Sequence, residues 1–215
     1  MTDSSLTEIV AIVDSSGSMS ALTDDVIGGF NAFLDEQRDG PGEARLTLAL
    51  FDTNYELLHD GVPIESVEPL SSATYEAGGG TALLDAVCMT VDTVGARLAK
   101  IDEEARPGNV VVLIITDGQE NQSSEFTLGD TRQRIEHQTE MYGWDFLYQG
   151  ANVDAFGEAG GLGIKAAYTS NYAYNSPGVH AAVNNFSKAV HQKRSRGVID
   201  ASWKTDESDE SQDPS

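Results

Sequence analysis

A short apolar run that stops abruptly at an acid is the feature that most constrains how this chain folds. Residues Ile9–Val13 are all apolar and mostly β-branched, and Asp14 follows them directly. This length and composition predict a buried strand of a parallel sheet. Asp14 then lies where the strand leaves the sheet. In open α/β sheets, the crevice beyond the carboxyl ends of the strands is where ligands bind.

The segment after this strand carries oxygen atoms at alternate positions. Asp14, Ser16 and Ser18 are each separated by one residue, so their side chains can converge on one point in an extended or turning segment. A carboxylate combined with hydroxyl oxygens suits a hard cation such as Mg²⁺.

Two later segments place similar oxygen atoms at the predicted carboxyl edge of the same sheet. Thr81 follows a triple glycine at residues 78–80, and Asp117 follows the most apolar predicted strand, residues 109–115. The glycines give the backbone the freedom to bring Thr81 close to a metal ion. A phosphate-binding loop is excluded, because no Gly-Lys-Ser/Thr sequence follows the glycines.

Length and charge limit the classes of protein that this chain can belong to. Its 215 residues are enough for one α/β domain, and its net charge of −22 argues against binding to nucleic acid or to anionic membranes. Adaptation to high salt is an alternative explanation for part of this excess of acidic residues. The single cysteine allows no internal disulfide, and no apolar run reaches ~20 residues, so no membrane span is predicted. The amino-terminal residues do not resemble a signal peptide, so we expect a cytoplasmic protein.

Apolar strands alternate with amphipathic segments along the chain, which predicts a doubly wound, mostly parallel sheet with helices on both faces. Residues 1–7 are predicted to be flexible, residues 8–203 to form the domain, and the acidic residues 204–215 to form a disordered tail. The predicted strands are residues 8–13, 45–51, 55–59 as an antiparallel edge strand, 109–115, 144–148, and 166–168 as a last edge strand. The predicted helices are residues 19–38, 81–99, 128–141, a short piece within 152–164, and 178–196.

The pattern resembles a von Willebrand factor type A (VWA) domain with a complete metal-ion-dependent adhesion site. That site is written Asp-x-Ser-x-Ser, then a distant Thr, then a distant Asp. In this chain the matching residues are Asp14, Ser16, Ser18, Thr81 and Asp117. The resemblance implies a Rossmann-like sheet with one antiparallel edge strand. It also implies that Ser16, Ser18 and Thr81 touch the metal, whereas Asp14 and Asp117 often act through water.

The function that this resemblance implies is protein binding rather than catalysis. An Asp or Glu of a partner protein completes the coordination of the ion, which is Mg²⁺, with Mn²⁺ or Ca²⁺ as alternatives. The acidic surface of this chain opposes an acidic partner at long range, so the metal is expected to be essential for the contact. No nucleic acid and no membrane is expected as a partner, and the oligomeric state stays open.

Simpler interpretations exist for each site residue. Aspartates such as Asp14 and Asp117 often accept hydrogen bonds from the backbone of a turn. Serine and threonine, the residue types at positions 16, 18 and 81, are common N-caps of helices. A Mg²⁺-dependent phosphohydrolase of the haloacid dehalogenase type is the competing function. It is disfavoured because its motif needs a second acid two residues after the first, where this chain has Ser16.

Two other features outside the site permit predictions. Cys88 is predicted to be a buried apolar residue on the inner face of its helix. The last predicted helix ends in a group of basic residues, which either complements the helix dipole or forms a docking patch. These basic residues are Lys188, Lys193, Arg194 and Arg196.

Overall fold

A six-stranded sheet forms the centre of the protein, which we describe from a computed structural model covering residues 1–151 and 154–204. The predicted acidic tail lies outside the described residues beyond Lys204. The strand order is β3-β2-β1-β4-β5-β6, and all neighbouring strands are parallel except β2 and β3. The strands are β1 Asp3–Asp14, β2 Glu43–Phe51, β3 Tyr55–Pro63, β4 Pro107–Thr116, β5 Asp145–Gly150 and β6 Thr169–Asn171.

Helices cover both faces of this sheet. Alternate residues of the central strand β1 point to opposite faces, so Ile9 and Val13 pack in one core and Val10 and Ile12 in the other. The first core lies under α1 and α5, and the second under α2, α3 and α4. The helices are α1 Thr23–Arg38, α2 Leu83–Ala99, α3 Leu128–Tyr142, α4 Ala155–Gly161 and α5 Ser176–Arg196.

The predicted fold class is confirmed: the sheet is Rossmann-like, mostly parallel, and carries one antiparallel edge strand, β3. From β1 the chain continues to β2 on one side, whereas β4 lies on the other side. The crevice between the loops that follow β1 and β4 is therefore the topological switch point, where such sheets bind ligands. Cys88 is buried in α2, as predicted. Among the described residues, none of the helices has the length and apolarity needed to cross a membrane.

The prediction of a flexible segment over residues 1–7 is wrong, because β1 begins at Asp3. The backbone N–H of Asp3 donates to the carbonyl of Arg106 at 2.8 Å, and Leu6 and Thr7 are buried. The polar composition of this segment concealed the strand. Its pairing with β4 is irregular between Asp3 and Thr7, so the usual alternation of strand residues is interrupted.

Three other predicted boundaries are corrected. A 3₁₀ turn over Gly17–Leu22 precedes α1, so the α-helix begins at Thr23 and not at residue 19 as predicted. Thr81 does not open α2, which begins at Leu83. The carbonyl of Thr81 accepts from backbone N–H groups of the loop after β4 and from none within the helix Leu83–Ala99. The last edge strand is Thr169–Asn171, whereas residues 166–168 form a 3₁₀ turn.

The basic end of α5 is mostly engaged within the protein. Lys193 is nearly buried and its Nζ lies 2.7 Å from Oδ2 of Asp145. Arg194 donates to the carbonyls of Gln37, Pro41 and Gly42. These contacts favour a structural role for this group over a docking patch.

A buried ion-pair network joins the middle of β1 to β2, β3 and α2. Glu8 is fully buried, accepts from the hydroxyl of Thr47 at 2.8 Å, and accepts from Nη2 of Arg97 at 2.7 Å. The Nε of Arg97 also donates to the more exposed Asp60 at 2.7 Å. Removing the buried partner of such a network leaves an uncompensated charge, which costs far more than removing an exposed partner.

We therefore expect Glu8→Ala to lower the free energy of unfolding by about 3 kcal/mol, because the guanidinium of Arg97 loses its buried carboxylate. The matched control, Asp60→Ala, removes the exposed partner of the same guanidinium and should cost less than about 1 kcal/mol. Urea unfolding measures both values, and equal costs would contradict this assignment.

Candidate metal centre

The carboxylate of Asp14 links the ends of the two central strands. Asp14 is fully buried at the end of β1. Its Oδ1 accepts from the backbone N–H of Ser16 at 2.7 Å, and its Oδ2 accepts from the hydroxyl of Thr116, the last residue of β4, at 2.5 Å. The carboxylate thus orients the loop that follows β1 and ties it to the end of β4.

The two serines connect Asp14's loop to the second carboxylate. The hydroxyl oxygens of Ser16 and Ser18 are 3.0 Å apart, and the Ser18 hydroxyl donates to Oδ1 of Asp117 at 2.7 Å. Ser16 is buried, whereas Ser18 is exposed. The cluster therefore opens to solvent at Ser18.

Thr81 lies against the same cluster. A Cβ atom built on Gly118 would be 2.9 Å from Oγ1 of Thr81 and 3.7 Å from Oγ of Ser18, so both hydroxyls surround the glycine that follows Asp117. The backbone of Thr81 donates to the side chain of Asn121 at 3.0 Å and accepts from its N–H at 3.0 Å. The structure thus brings all five predicted residues together, and their role as metal ligands stays a prediction.

Burial disfavours the negative charges in this cluster. It raises the pKa of Asp14 to about 6, and the hydrogen bonds from Thr116 and Ser16 offset only part of this effect. The nearby charge of Asp117 raises the pKa of Asp14 further. Burial also raises the pKa of Asp117, although the Ser18 hydroxyl acts in the opposite direction.

One oxygen of this site has no partner. Oδ2 of Asp117 is buried and accepts no hydrogen bond from the described residues. A buried carboxylate oxygen without a donor is costly, and a cation satisfies it. Two carboxylates and three hydroxyls are the oxygen ligands that a hard cation takes, so the residues fit a divalent ion. Within residues 1–151 and 154–204, no group of three or more His, Cys, Asp or Glu forms an alternative metal site.

Three tyrosines that sequence reasoning missed support the backbone of the site. The hydroxyl of Tyr75 donates to the carbonyl of Asp14 at 2.7 Å, that of Tyr172 donates to Thr116 at 3.3 Å, and that of Tyr174 donates to Ser18. Each tyrosine precedes or follows a regular element in an irregular segment, so no periodicity marks it. These bonds satisfy carbonyls at the ends of β1 and β4 and in the 3₁₀ turn before α1.

Two acids that the sequence did not single out hold the loop after Asp117. The carboxylate of Asp85 accepts from the backbone N–H groups of Ser124, Glu125 and Phe126. Glu120 accepts from the N–H of Leu84 at 3.0 Å, at the positive amino end of α2. This loop and the start of α2 therefore carry Asp117 and Thr81 as one unit.

Comparison with solved structures gives the same fold at low sequence identity. The vWF domain of the type V pili tip protein Mfa5 from Porphyromonas gingivalis matches with a TM-score of 0.62 and 12% identity, over 90% of this chain and 97% of that one. Manganese-loaded TRAP from Plasmodium vivax matches with a TM-score of 0.55 and 14% identity, over 86% of this chain and 74% of that one. A von Willebrand factor type A protein from Catenulispora acidiphila matches with a TM-score of 0.52 and 13% identity, over 86% of this chain and 42% of that one.

The chain therefore has the VWA fold. No family model matches the chain. No curated protein gives a significant sequence match. The similarity thus lies in the arrangement of strands and helices, and the chemistry of the site must be argued from this chain's own residues.

Gly80 and Gly78 offer a matched test of how Thr81 is positioned. A Cβ on Gly80 would lie 2.3 Å from Cγ of Gln122 and 2.9 Å from the Asn121 amide oxygen, whereas a Cβ on Gly78 meets nothing within 4 Å. We expect Gly80→Ala to push the loop that holds Thr81 away and to cost about 1–2 kcal/mol of stability. Gly78→Ala should be neutral or slightly stabilising. Thermal unfolding of both variants checks this, and equal effects would contradict it.

The raised pKa of Asp14 predicts how stability depends on pH without metal. An acid whose pKa is higher in the folded state stabilises the fold below its ordinary value of 3.8 and loses this contribution as the pH rises through about 6. As the pH rises from about 5 to about 7.5, we expect ionisation of Asp14 to lower the free energy of unfolding by about 1 kcal/mol. Urea unfolding with a chelator present measures it. Asp14→Asn should lack this component, and an identical pH slope in both proteins would refute the assignment.

Proposed function

We propose that Asp14, Ser16, Ser18, Thr81 and Asp117 hold a divalent cation, and that the protein uses this ion to bind a carboxylate of a partner protein. The observation that carries the proposal is the buried, unpartnered Oδ2 of Asp117 beside a second buried carboxylate. Two adjacent buried acids without a cation oppose each other's ionisation. A cation at this place provides a partner for the Asp117 oxygen and offsets the repulsion between the two carboxylates.

The chemistry of the five residues favours a binding role for the ion. The hydroxyls of Ser16, Ser18 and Thr81 are neutral, so they can contribute oxygen atoms without cancelling positive charge. The resemblance to VWA metal sites implies that the two acids often act through water, and we assign Asp14 and Asp117 that role. An ion held in this way remains electrophilic and attracts an external Asp or Glu carboxylate.

Mg²⁺ is the proposed ion, with Mn²⁺ or Ca²⁺ as alternatives. The manganese-loaded TRAP structure, which shares the fold, supports a divalent ion in such a domain. The pilus-tip origin of the Mfa5 domain supports a role in protein interaction rather than in catalysis. The position that a haloacid dehalogenase needs for its second acid holds the Ser16 hydroxyl, which contacts Ser18. The cytoplasmic location stays a prediction.

Asp14→Asn is the variant that tests the metal site. We expect Mg²⁺ or Mn²⁺ at about 100 times its dissociation constant to stabilise the natural protein by about 2.7 kcal/mol, because the ion binds only the folded state. Asp14→Asn should abolish this gain. Without metal, the same variant should be more stable than the natural protein near neutral pH, since it removes a buried charge and its amide can donate to Thr116.

Thermal unfolding with and without metal measures these effects, and Asp24→Asn, which changes an exposed acid at the start of α1, is the control. A metal response that persists in Asp14→Asn would refute the proposed site. Binding of a partner carboxylate to the ion is measured separately. A peptide containing Asp should bind the natural protein with Mg²⁺ and dissociate on addition of a chelator.

A further inference from the structure

Basic residues are missing from the part of the chain that surrounds the candidate metal centre. Residues 14–37, 52–96, 116–131 and 166–187 contain no lysine and no arginine, although the chain has 13 such residues. These ranges include the loops that follow β1, β2 and β4 and the segment that joins β6 to α5. The carboxyl edge of the sheet is therefore free of fixed positive charge in the described loops.

Several of the cations lie at the opposite edge, where the strands begin. Arg97 pairs with Glu8, which lies beside the early residues Arg45 of β2 and Val110 of β4, and Lys193 pairs with Asp145 at the start of β5. Arg106 directly precedes β4. The charge of the domain is thus distributed unevenly between the two edges of the sheet.

A groove on the β3 side of the metal centre carries three acids. Asp52, Glu56 and Glu76 line it. Ser15 and Gly78 also line it and join it to the site, since the Gly78 N–H donates to the carbonyl of Ser15 at 2.8 Å. Glu56 and Glu76 are exposed.

A second groove, on the α4 side, also carries three acids. Glu120, Asp154 and Glu158 line it together with the apolar Leu84 and Leu128. Burial raises the pKa of Glu158, the hydrogen bond from Tyr148 lowers it, and the charges of Asp154 and Glu120 raise it further, so both of these carboxylates lie close enough to repel that of Glu158. Within residues 1–151 and 154–204, none of the six acids of the two grooves forms an ion pair.

The metal centre lies between these grooves. Asp117, whose buried Oδ2 lacks a partner, is three residues before Glu120, and Thr81 is three residues before Leu84. A partner that places a carboxylate here must also cover the groove acids. A partner that is acidic overall would be repelled by them, and a neutral one would leave them uncompensated.

We propose that the partner presents its metal-binding Asp or Glu among lysines or arginines, which lie in the two acidic grooves. This inference rests on the proposed function and specifies the class of partner. The ion then binds the central carboxylate, while the grooves select the basic residues on either side of it. Such a surface steers a basic partner towards the site and rejects acidic proteins that carry the same carboxylate.

The effect of salt on binding distinguishes the two kinds of partner. Exposed charges are screened over about 10 Å at about 0.1 M salt. Added salt therefore weakens binding of a carboxylate flanked by basic residues. It strengthens, or leaves unchanged, the binding of a carboxylate flanked by neutral or acidic residues, because it screens repulsion from the acidic surface.

Three short peptides of equal length test this inference, each with one central Asp flanked by Lys, by Gln or by Glu. Fluorescence anisotropy with saturating Mg²⁺ measures their affinities for the full chain. We expect the Lys-flanked peptide to bind about tenfold more tightly than the Gln-flanked one at about 50 mM KCl, and to lose most of this advantage at about 500 mM. The Glu-flanked peptide should bind most weakly.

The double variant Glu56→Gln/Glu76→Gln assigns the preference to the first groove. It should reduce the advantage of the Lys-flanked peptide over the Gln-flanked one about threefold or more, without weakening the Gln-flanked peptide or changing the metal-induced stabilisation. Glu103→Gln/Glu104→Gln, at exposed acids before β4, is the matched control and should change neither.

Metal-dependent stabilisation without preference for the Lys-flanked peptide overturns this inference and leaves the metal site intact. A preference that survives Glu56→Gln/Glu76→Gln undiminished also overturns the assignment of that groove. Absence of metal-dependent stabilisation overturns the proposed function itself.

Discussion

The structure depends on a carboxylate that is buried at the end of its central strand. Asp14 accepts from Ser16 on its own loop and from Thr116 on the neighbouring strand, so its charge is held at the point where two strands leave the sheet. Burial of an ionised group is costly, and these bonds offset only part of that cost. The loops around it bring a second acid and three hydroxyls to the same place, and these oxygen atoms are of the kinds that a hard cation takes as ligands.

Hydrogen bonds support the cluster from several sides. Tyr75 and Tyr172 reach the carbonyls of Asp14 and Thr116 from segments far away in the chain. Asp85 binds three successive N–H groups of the loop after Asp117 and thereby fixes that loop on α2. A cluster built in this way keeps its side chains in place without requiring that the loops themselves be stiff.

The sheet, and the placement of Asp14 and Asp117 at its edge, are predictable from the sequence for one reason. Each central strand is strongly apolar and ends sharply at a polar residue, so Asp14 and Asp117 mark the edge of the sheet directly. The supporting groups are not predictable in the same way. Tyr174, Asn121 and Asp85 act on backbone groups that only the folded chain brings near them. The early start of β1 and the position of β6 were missed because pairing with neighbouring strands, and not local composition, decides them.

Both outer strands of the sheet are unsuited to joining a second sheet. The pairing of β3 with β2 shifts register around Leu48, and β3 contains Gly61 with a left-handed φ of 64° and ends at Pro63. The other outer strand, β6, has only 3 residues. Neither offers a long, regular row of free N–H and C=O groups as a template for amyloid-like growth. Backbone pairing at the edges of the sheet is thus disfavoured, and contacts with other chains are left to side chains.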